Sequence, residues 1–245
     1  MAAVTDAPAG NWPEMLFEHF QIDRVLDVGA NLGGWVESWL TLGAHSVHAV
    51  EPVPDCHAEL TRRFAGDSRV ISHRLGVSDT EHVVEELNIF NAWSLLPDAS
   101  KALERAIEFR DTPPFSVQFT TIDALLAREH FAPGLIKLDV DGYEAKALRG
   151  AREFMARSRP VVMFEASYLP FFYDDCCECM IRGIFALDYV ITTLDRTRTF
   201  ADSRDFMRVY PWDTSFDVLL VPRERAADSR AAPARDAQIS SPLLH

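Results

Sequence analysis

Short apolar runs alternate along the chain with stretches in which apolar residues recur every three or four positions. Val25–Val28, Val47–Val50, Val70–Ser72, Leu135–Val140 and Val161–Phe164 are β-branched or apolar and bounded by breakers, a pattern that predicts buried strands. Leu32–Leu42, Cys56–Phe64 and Tyr143–Ala156 carry the helical period and are expected between them. Strand–helix alternation of this kind predicts an α/β fold with a mostly parallel sheet covered by helices on both faces. Tyr189–Thr193 and Phe216–Val221 are expected to close that sheet as a pair at one edge.

One segment interrupts the alternation. His82–Phe90 and Phe115–Thr121 read as extra strands flanking the polar stretch Asn91–Pro114, with a helix expected from Asp98 to Phe109. An insertion of this length in a compact domain is expected to be a lid or a substrate-binding element; a plain surface hairpin is the alternative. Residues 1–10 read as a loose leader, 11–222 as one domain with its lid at 91–114, and 223–245 as a disordered tail.

Composition narrows the functions. With 245 residues, almost half of them hydrophobic, the chain can fill the core of one α/β domain. No apolar run approaches the roughly 20 residues of a membrane span, and no basic segment leads into an apolar one at the N-terminus. Three of the four cysteines crowd into Cys176–Cys179 (CCEC) without a paired framework, which fits a reducing, cytoplasmic setting. Three thiols with no matching pair are too few for structural zinc, so helical burial is expected there. A net charge of −13 with no basic stripe argues against nucleic acid and anionic membranes as partners.

The chemistry concentrates where runs end. In Arg24–Trp35, RVLDVGANLGGW, an apolar run leads through Asp27 into a glycine-rich turn. A dinucleotide loop, G-x-G-x-x-G, sets its pyrophosphate at a helix N-terminus, but its middle glycine is replaced here by Asn31. Asp27, two residues before Gly29, would repel a pyrophosphate and attract an ammonium. S-adenosylmethionine carries an ammonium and a sulfonium and no phosphate, so the acid argues for that donor. Glu51, after the second run and about 20 residues on, is placed to accept hydrogen bonds from ribose hydroxyls. Singly, Asp27 also reads as a cap or core ion pair and Glu51 as a solvated carboxylate.

Taken in order, LDVGANLGGW, VEPVPD, IKLDVDGYEAKALRGA and VVMFEA resemble the signatures of the FkbM family of S-adenosylmethionine-dependent methyltransferases. The similarity runs from about Arg24 to Glu165, weakening toward Val221, and Asp141 stands where the family usually has Glu. The resemblance implies a class I methyltransferase fold, Rossmann-like, with seven strands and an antiparallel final pair. It also implies O-methylation of a small-molecule hydroxyl, often on a sugar, glycolipid or macrolide. By the same resemblance Asp27, Gly29, Ala30, Asn31 and Gly33 would line the methionine part of the donor, Glu51 and Pro52 the ribose, and Gly76 to Asp79 (GVSD), with Gly76 and Ser78, the adenine.

Within LIKLDV, Lys137 and Asp139 share one strand face. Two charges on a central strand are costly unless paired or used. One reading is a structural ion pair. The other places both, with Glu165, at the carboxyl edge of the sheet, where open α/β folds bind ligands, with Asp139 or Glu165 taking the acceptor's proton. Asp141 and Glu144 fit a capping box at the next helix. A Mg²⁺ site from Asp139, Asp141 and Glu144 is the less favoured alternative, so no metal is expected. Tyr168, Phe171, Phe172 and Tyr173 read equally as core or as an acceptor-pocket wall. The rival functions are an NAD(P)-dependent oxidoreductase on a similar sheet and a binding module without catalysis.

Overall fold

The computed structural model describes residues 11–89, 95–96, 114–170, 175–211 and 214–226. The leader, the body of the 91–114 insertion with its expected helix, Phe171–Tyr173 and residues 227–245 lie outside the described residues.

A helix, α1 (Trp12–Phe20), precedes the first strand. Then come β1 (Arg24–Val28), α2 (Gly34–Thr41), β2 (Ser46–Val50), α3 (Pro54–Arg63) and β3 (Val70–His73). The chain continues through β4 (Gly76–Val77), β5 (Val84–Ile89), β6 (Leu95–Leu96) and β7 (Phe115–Thr120) to α4 (Ile122–Arg128) and β8 (Leu135–Leu138). It ends with α5 (Glu144–Arg149), α6 (Arg152–Ser158), β9 (Val161–Ser167), α7 (Cys177–Ala186), β10 (Tyr189–Thr193), β11 (Thr199–Phe200), α8 (Ser203–Met207), β12 (Ser215–Pro222) and α9 (Arg223–Ala226).

Among the described residues the main sheet has eight strands, in the order β11-β10-β12-β9-β8-β1-β2-β3. β3, β2, β1, β8 and β9 pair in parallel, and β12 enters antiparallel between β9 and β10. This is the class I methyltransferase arrangement, with β11 as an added edge strand. The extra strands do not join it. β4, β7, β5 and β6 form a separate four-stranded sheet.

Alternation along each strand divides the core into two layers. Val25, Val47, Leu135 and Val161 pack beneath α1 and α2 against Phe17 and Trp39, whose rings stack at 5.8 Å. Leu26, Ile136, Val162 and Leu220 pack on the other face against α4 to α7. Both faces are covered, which is why the strand sequences read as continuous apolar runs.

Some expectations are corrected. The helix expected over Tyr143–Ala156 breaks at Gly150–Ala151 into α5 and α6. At Gly150 any Cβ would lie 2.1 Å from the Ser78 carbonyl oxygen, so the break is tied to a close backbone approach. Arg223–Ala226, expected to begin a disordered tail, is a helical turn held by Arg159 to Glu224 at 2.8 Å and Arg225 to the Phe20 carbonyl at 3.0 Å. Cys176 and Cys179, expected to be unpaired, form a disulfide at the start of α7, while Cys56 and Cys177 stay outside it as thiols.

Candidate active site

The ends of β1, β2 and β8 and one edge of the small sheet enclose a cavity of about 370 Å³, a size that suits a small-molecule ligand. The turn after β1 forms its floor. Gly29 has φ +78°, and a Cβ there would lie 1.7 Å from the Asp139 carbonyl oxygen; only glycine lets the turn close against the end of β8. Gly33 has φ +84° and faces inward, where a Cβ would meet Phe64 and Leu60. It is off the cavity wall, which Gly34 lines instead.

The turn's amides are already used. Gly29 and Ala30 N–H both donate to the Val50 carbonyl at 3.0 Å, and Gly33 N–H donates to the Ala30 carbonyl at 2.8 Å. Asn31 N–H donates to Glu51 Oε2 at 2.8 Å. Glu51 takes a second backbone donor, Val53 N–H, on Oε1 at 2.8 Å, so this carboxylate ties the turn to the end of β2 while remaining on the cavity wall. Burial raises its pKa against those two hydrogen bonds. Asn31 also lines the cavity, and its Oδ1 is buried without a hydrogen-bond partner among the described residues.

Asp27 lies elsewhere than expected. It is fully buried and absent from the cavity wall. Trp39 Nε1 donates to its Oδ2 at 3.1 Å, and Lys137 Nζ lies 3.7 Å from its Oδ1. Burial raises the Asp27 pKa, opposed by Lys137 and Trp39. Lys137 does reach the wall. Its Nζ is 3.1 Å from Asp139 Oδ2 and 3.5 Å from the Gly29 carbonyl oxygen. Burial alone would lower its pKa, but Asp139 and then Asp27 prevail and the pKa is raised, so the ammonium stays charged.

Asp139 and Asp141 line the cavity beside Lys137, and the carboxylates of Asp139, Asp141 and Glu165 lie within 4.8 Å of one another. Glu165 is behind Asp139, off the wall. Burial, followed by the Asp139 charge, pushes its pKa up to about 7. Asp217 pairs with Glu165 in register across β12 and β9, and burial with Asp139 lifts it to about 6. Sequence reasoning missed Asp217; the signal was a lone acid inside the apolar run FDVLLV.

The capping box is not formed. The N-cap of α5 is Tyr143, without a side-chain cap. Asp141 instead adopts φ +50° on the cavity wall. Glu144 turns back into the loop and accepts from Val140 N–H at 3.0 Å and Gly142 N–H at 2.9 Å, with burial lifting its pKa to about 8. It is thus separated from the acidic group in which the Mg²⁺ alternative had placed it. Pro52 and Gly76 line the cavity, as does Val77, whereas Ser78 is buried beside Gly150 and off the wall. Tyr168 packs with Leu87, Val117, Phe119 and Tyr143 of the small-sheet core.

The sequence profile of the Methyltransferase FkbM domain matches residues 27–210. The chain belongs to this family. The FkbM match therefore takes in the glycine turn, Glu51, the Lys137–Asp139 pair and Glu165. No curated protein matches the chain. Among solved structures, an FkbM methyltransferase from Methylobacillus flagellatus KT is 18% identical with a TM-score of 0.46; the match covers 81% of this chain and 43% of that one. An S-adenosylmethionine-dependent methyltransferase from Mesorhizobium loti is 15% identical with a TM-score of 0.34, covering 63% and 50%. This FkbM chain thus spans less than half the length of the first of these.

Proposed function

We propose that this protein transfers a methyl group from S-adenosylmethionine to a hydroxyl of a small molecule such as a sugar, glycolipid or macrolide-like compound. The observation that carries the reading is the occupied glycine turn. The amides of Gly29, Ala30, Asn31 and Gly33 are bonded within the protein, so they form no phosphate cradle, and the wall beside them carries Glu51, Asp139 and Asp141. Such a site disfavours a pyrophosphate and suits a cationic, phosphate-free donor. The unpartnered Asn31 Oδ1 is an acceptor for a donor group of that ligand.

Glu51 and Asn31 would hold the adenosine and amino-acid parts of the donor, with Gly76 and Val77 along the base. The bound donor supplies an electrophilic methyl on a good leaving group. What remains for the chain is to align the acceptor oxygen and remove its proton. Asp139, on the wall, takes that proton, and Glu165 behind it shares the charge. Lys137 stays charged and fixes Asp139, while Asp27 and Trp39 hold Lys137. Leu87 and Phe119 of the small sheet also face the cavity, which supports assigning acceptor recognition to the 91–114 insertion carried by β5 and β7.

Calorimetry with S-adenosylhomocysteine and with NAD(P)H tests the donor, the former binding and the latter not. Binding of NAD(P)H alone would replace this reading by an oxidoreductase. Incubation with labelled donor and small-molecule extracts tests transfer; donor binding with no labelled product would favour a binding module.

A further inference from the structure

Away from the cavity, β2 carries a histidine where its neighbours are apolar. His48 interrupts SVHAV and is 4% exposed. Its ring stacks on Phe131 at 3.9 Å, which fixes its orientation. Its Nδ1 lies 3.0 Å from Nε2 of His73, two residues beyond its register partner Ile71 on β3, and the two rings are inclined by only 29°. Glu129, the C-cap of α4, approaches from a third element; one ligand atom from each of the three residues lies within 4.8 Å of the others. His73 and Glu129 are half-buried, leaving a path from solvent.

We propose that His48, His73 and Glu129 form a binding site for a borderline divalent cation of the Zn²⁺ class. Two imidazoles and one carboxylate match the donor preference of Zn²⁺ or Co²⁺, whereas Mg²⁺ and Ca²⁺ favour oxygen alone. Metal–ligand bonds of about 2.0–2.1 Å in a tetrahedron put neighbouring ligand atoms roughly 3.3 Å apart. The two ring nitrogens stand within a few tenths of an ångström of that spacing, and Glu129, whose Oε1 accepts from Arg128 Nε at 3.1 Å, would turn toward them as the third ligand. A neutral imidazole offers one ring nitrogen as a ligand, and the two that face each other here are Nδ1 of His48 and Nε2 of His73. Without an ion, one N–H bridges the rings. On binding, that proton moves to the other nitrogen of its ring, and both lone pairs face the metal.

The position gives the ion a role. It would clip the edge strand β3 to β2 and to the end of α4. The His73 carbonyl also accepts Glu51 N–H at 3.0 Å, and two residues further on Leu75 begins one wall of the cavity. The ion would therefore brace the sheet edge that carries this wall.

The full chain, stripped with EDTA and returned to chelator-free buffer, is titrated with Co²⁺ and then Zn²⁺. Expected are saturable binding of a single equivalent, the visible absorption of tetrahedral Co²⁺ displaced by Zn²⁺, and a rise in Tm. His73→Ala and Glu129→Gln should each weaken binding by roughly tenfold or more, while Asp139→Asn, in the cavity, should leave it intact. Absence of saturable binding overturns the proposal, as does undiminished binding in both His73→Ala and Glu129→Gln. Loss in Asp139→Asn also overturns it, by moving the ion to the cavity acids. If His73→Ala does not fold, Glu129→Gln, at a helix end, decides alone.

Discussion

Asp27 and Lys137 stand opposite each other in register on β1 and β8, with Nζ 3.7 Å from Oδ1 and both side chains buried. Lys137 Nζ is closer still to Asp139 at the cavity wall, 3.1 Å away. One ammonium therefore bridges a fully buried acid and an acid facing the site. Removing it strands Asp27 with only the Trp39 hydrogen bond. Lys137→Met should cost about 3–5 kcal/mol in urea unfolding. Asp27→Asn should cost less, because Asp139 still pairs the lysine. The double variant Asp27→Asn/Lys137→Met should recover part of the loss; simple addition of the two single effects would mean the charges are not coupled.

Glu51 joins the glycine turn to the end of β2 through two backbone amides and still lines the cavity. Glu51→Gln keeps the size but provides one carbonyl acceptor in place of two charged oxygens. Affinity for S-adenosylhomocysteine should fall by about 1.5–3 kcal/mol, read by calorimetry. An unchanged affinity would remove Glu51 from the donor site.

Glu165 and Asp217 make stability and turnover run in opposite directions with pH. Their pKa values rise on folding, from 4.5 to about 7 and from 3.8 to about 6. A carboxyl with a raised folded pKa binds its proton more tightly in the folded state. Its contribution to stability is full below the unfolded pKa and is lost as pH rises through the folded value. The urea midpoint should thus decline from pH 5 to pH 8, and Glu165→Gln or Asp217→Asn should flatten the decline. Turnover should rise over the same window, because ionised Glu165 strengthens Asp139 as a base. A flat pH–rate profile through pH 7 would dissociate Glu165 from the chemistry.

Assigning Asp139 and Glu165 to proton transfer carries a further consequence. Asp139→Asn should lower kcat by about 10²-fold or more with little change in donor affinity, and turnover after EDTA treatment should not depend on added Mg²⁺. Chelator-sensitive turnover restored by Mg²⁺ would reassign Asp139, Asp141 and Glu165 to a metal.

Acceptor recognition is expected to reside in the insertion between β5 and β7. Replacing residues 91–114 by a short turn should abolish methyl transfer and leave S-adenosylhomocysteine binding unchanged. Transfer at the original rate would show the insertion to be dispensable.

Local features can be read directly from the order of residues. Buried strands announced themselves as apolar runs, so the parallel sheet and its antiparallel edge pair were legible, as were Gly29, Asn31 and Glu51, which sit where runs end and must face the carboxyl edge of the sheet. The alternation within LIKLDV also put Lys137 and Asp139 on one face. Tertiary structure alone decided what those charges meet. The period of a strand says which face a side chain takes but not how far that face lies from the ligand; Asp27 and Gly33 went inward under Trp39 and Phe64. Asp217 and His48 acquired partners only through pairing with β9 and β3, contacts that hydropathy does not encode. The capping pattern at Asp141 and Glu144 was lost for a similar reason. A partly buried loop had two backbone amides to satisfy, and the Glu144 carboxylate accepts from both, leaving Asp141 on the cavity wall.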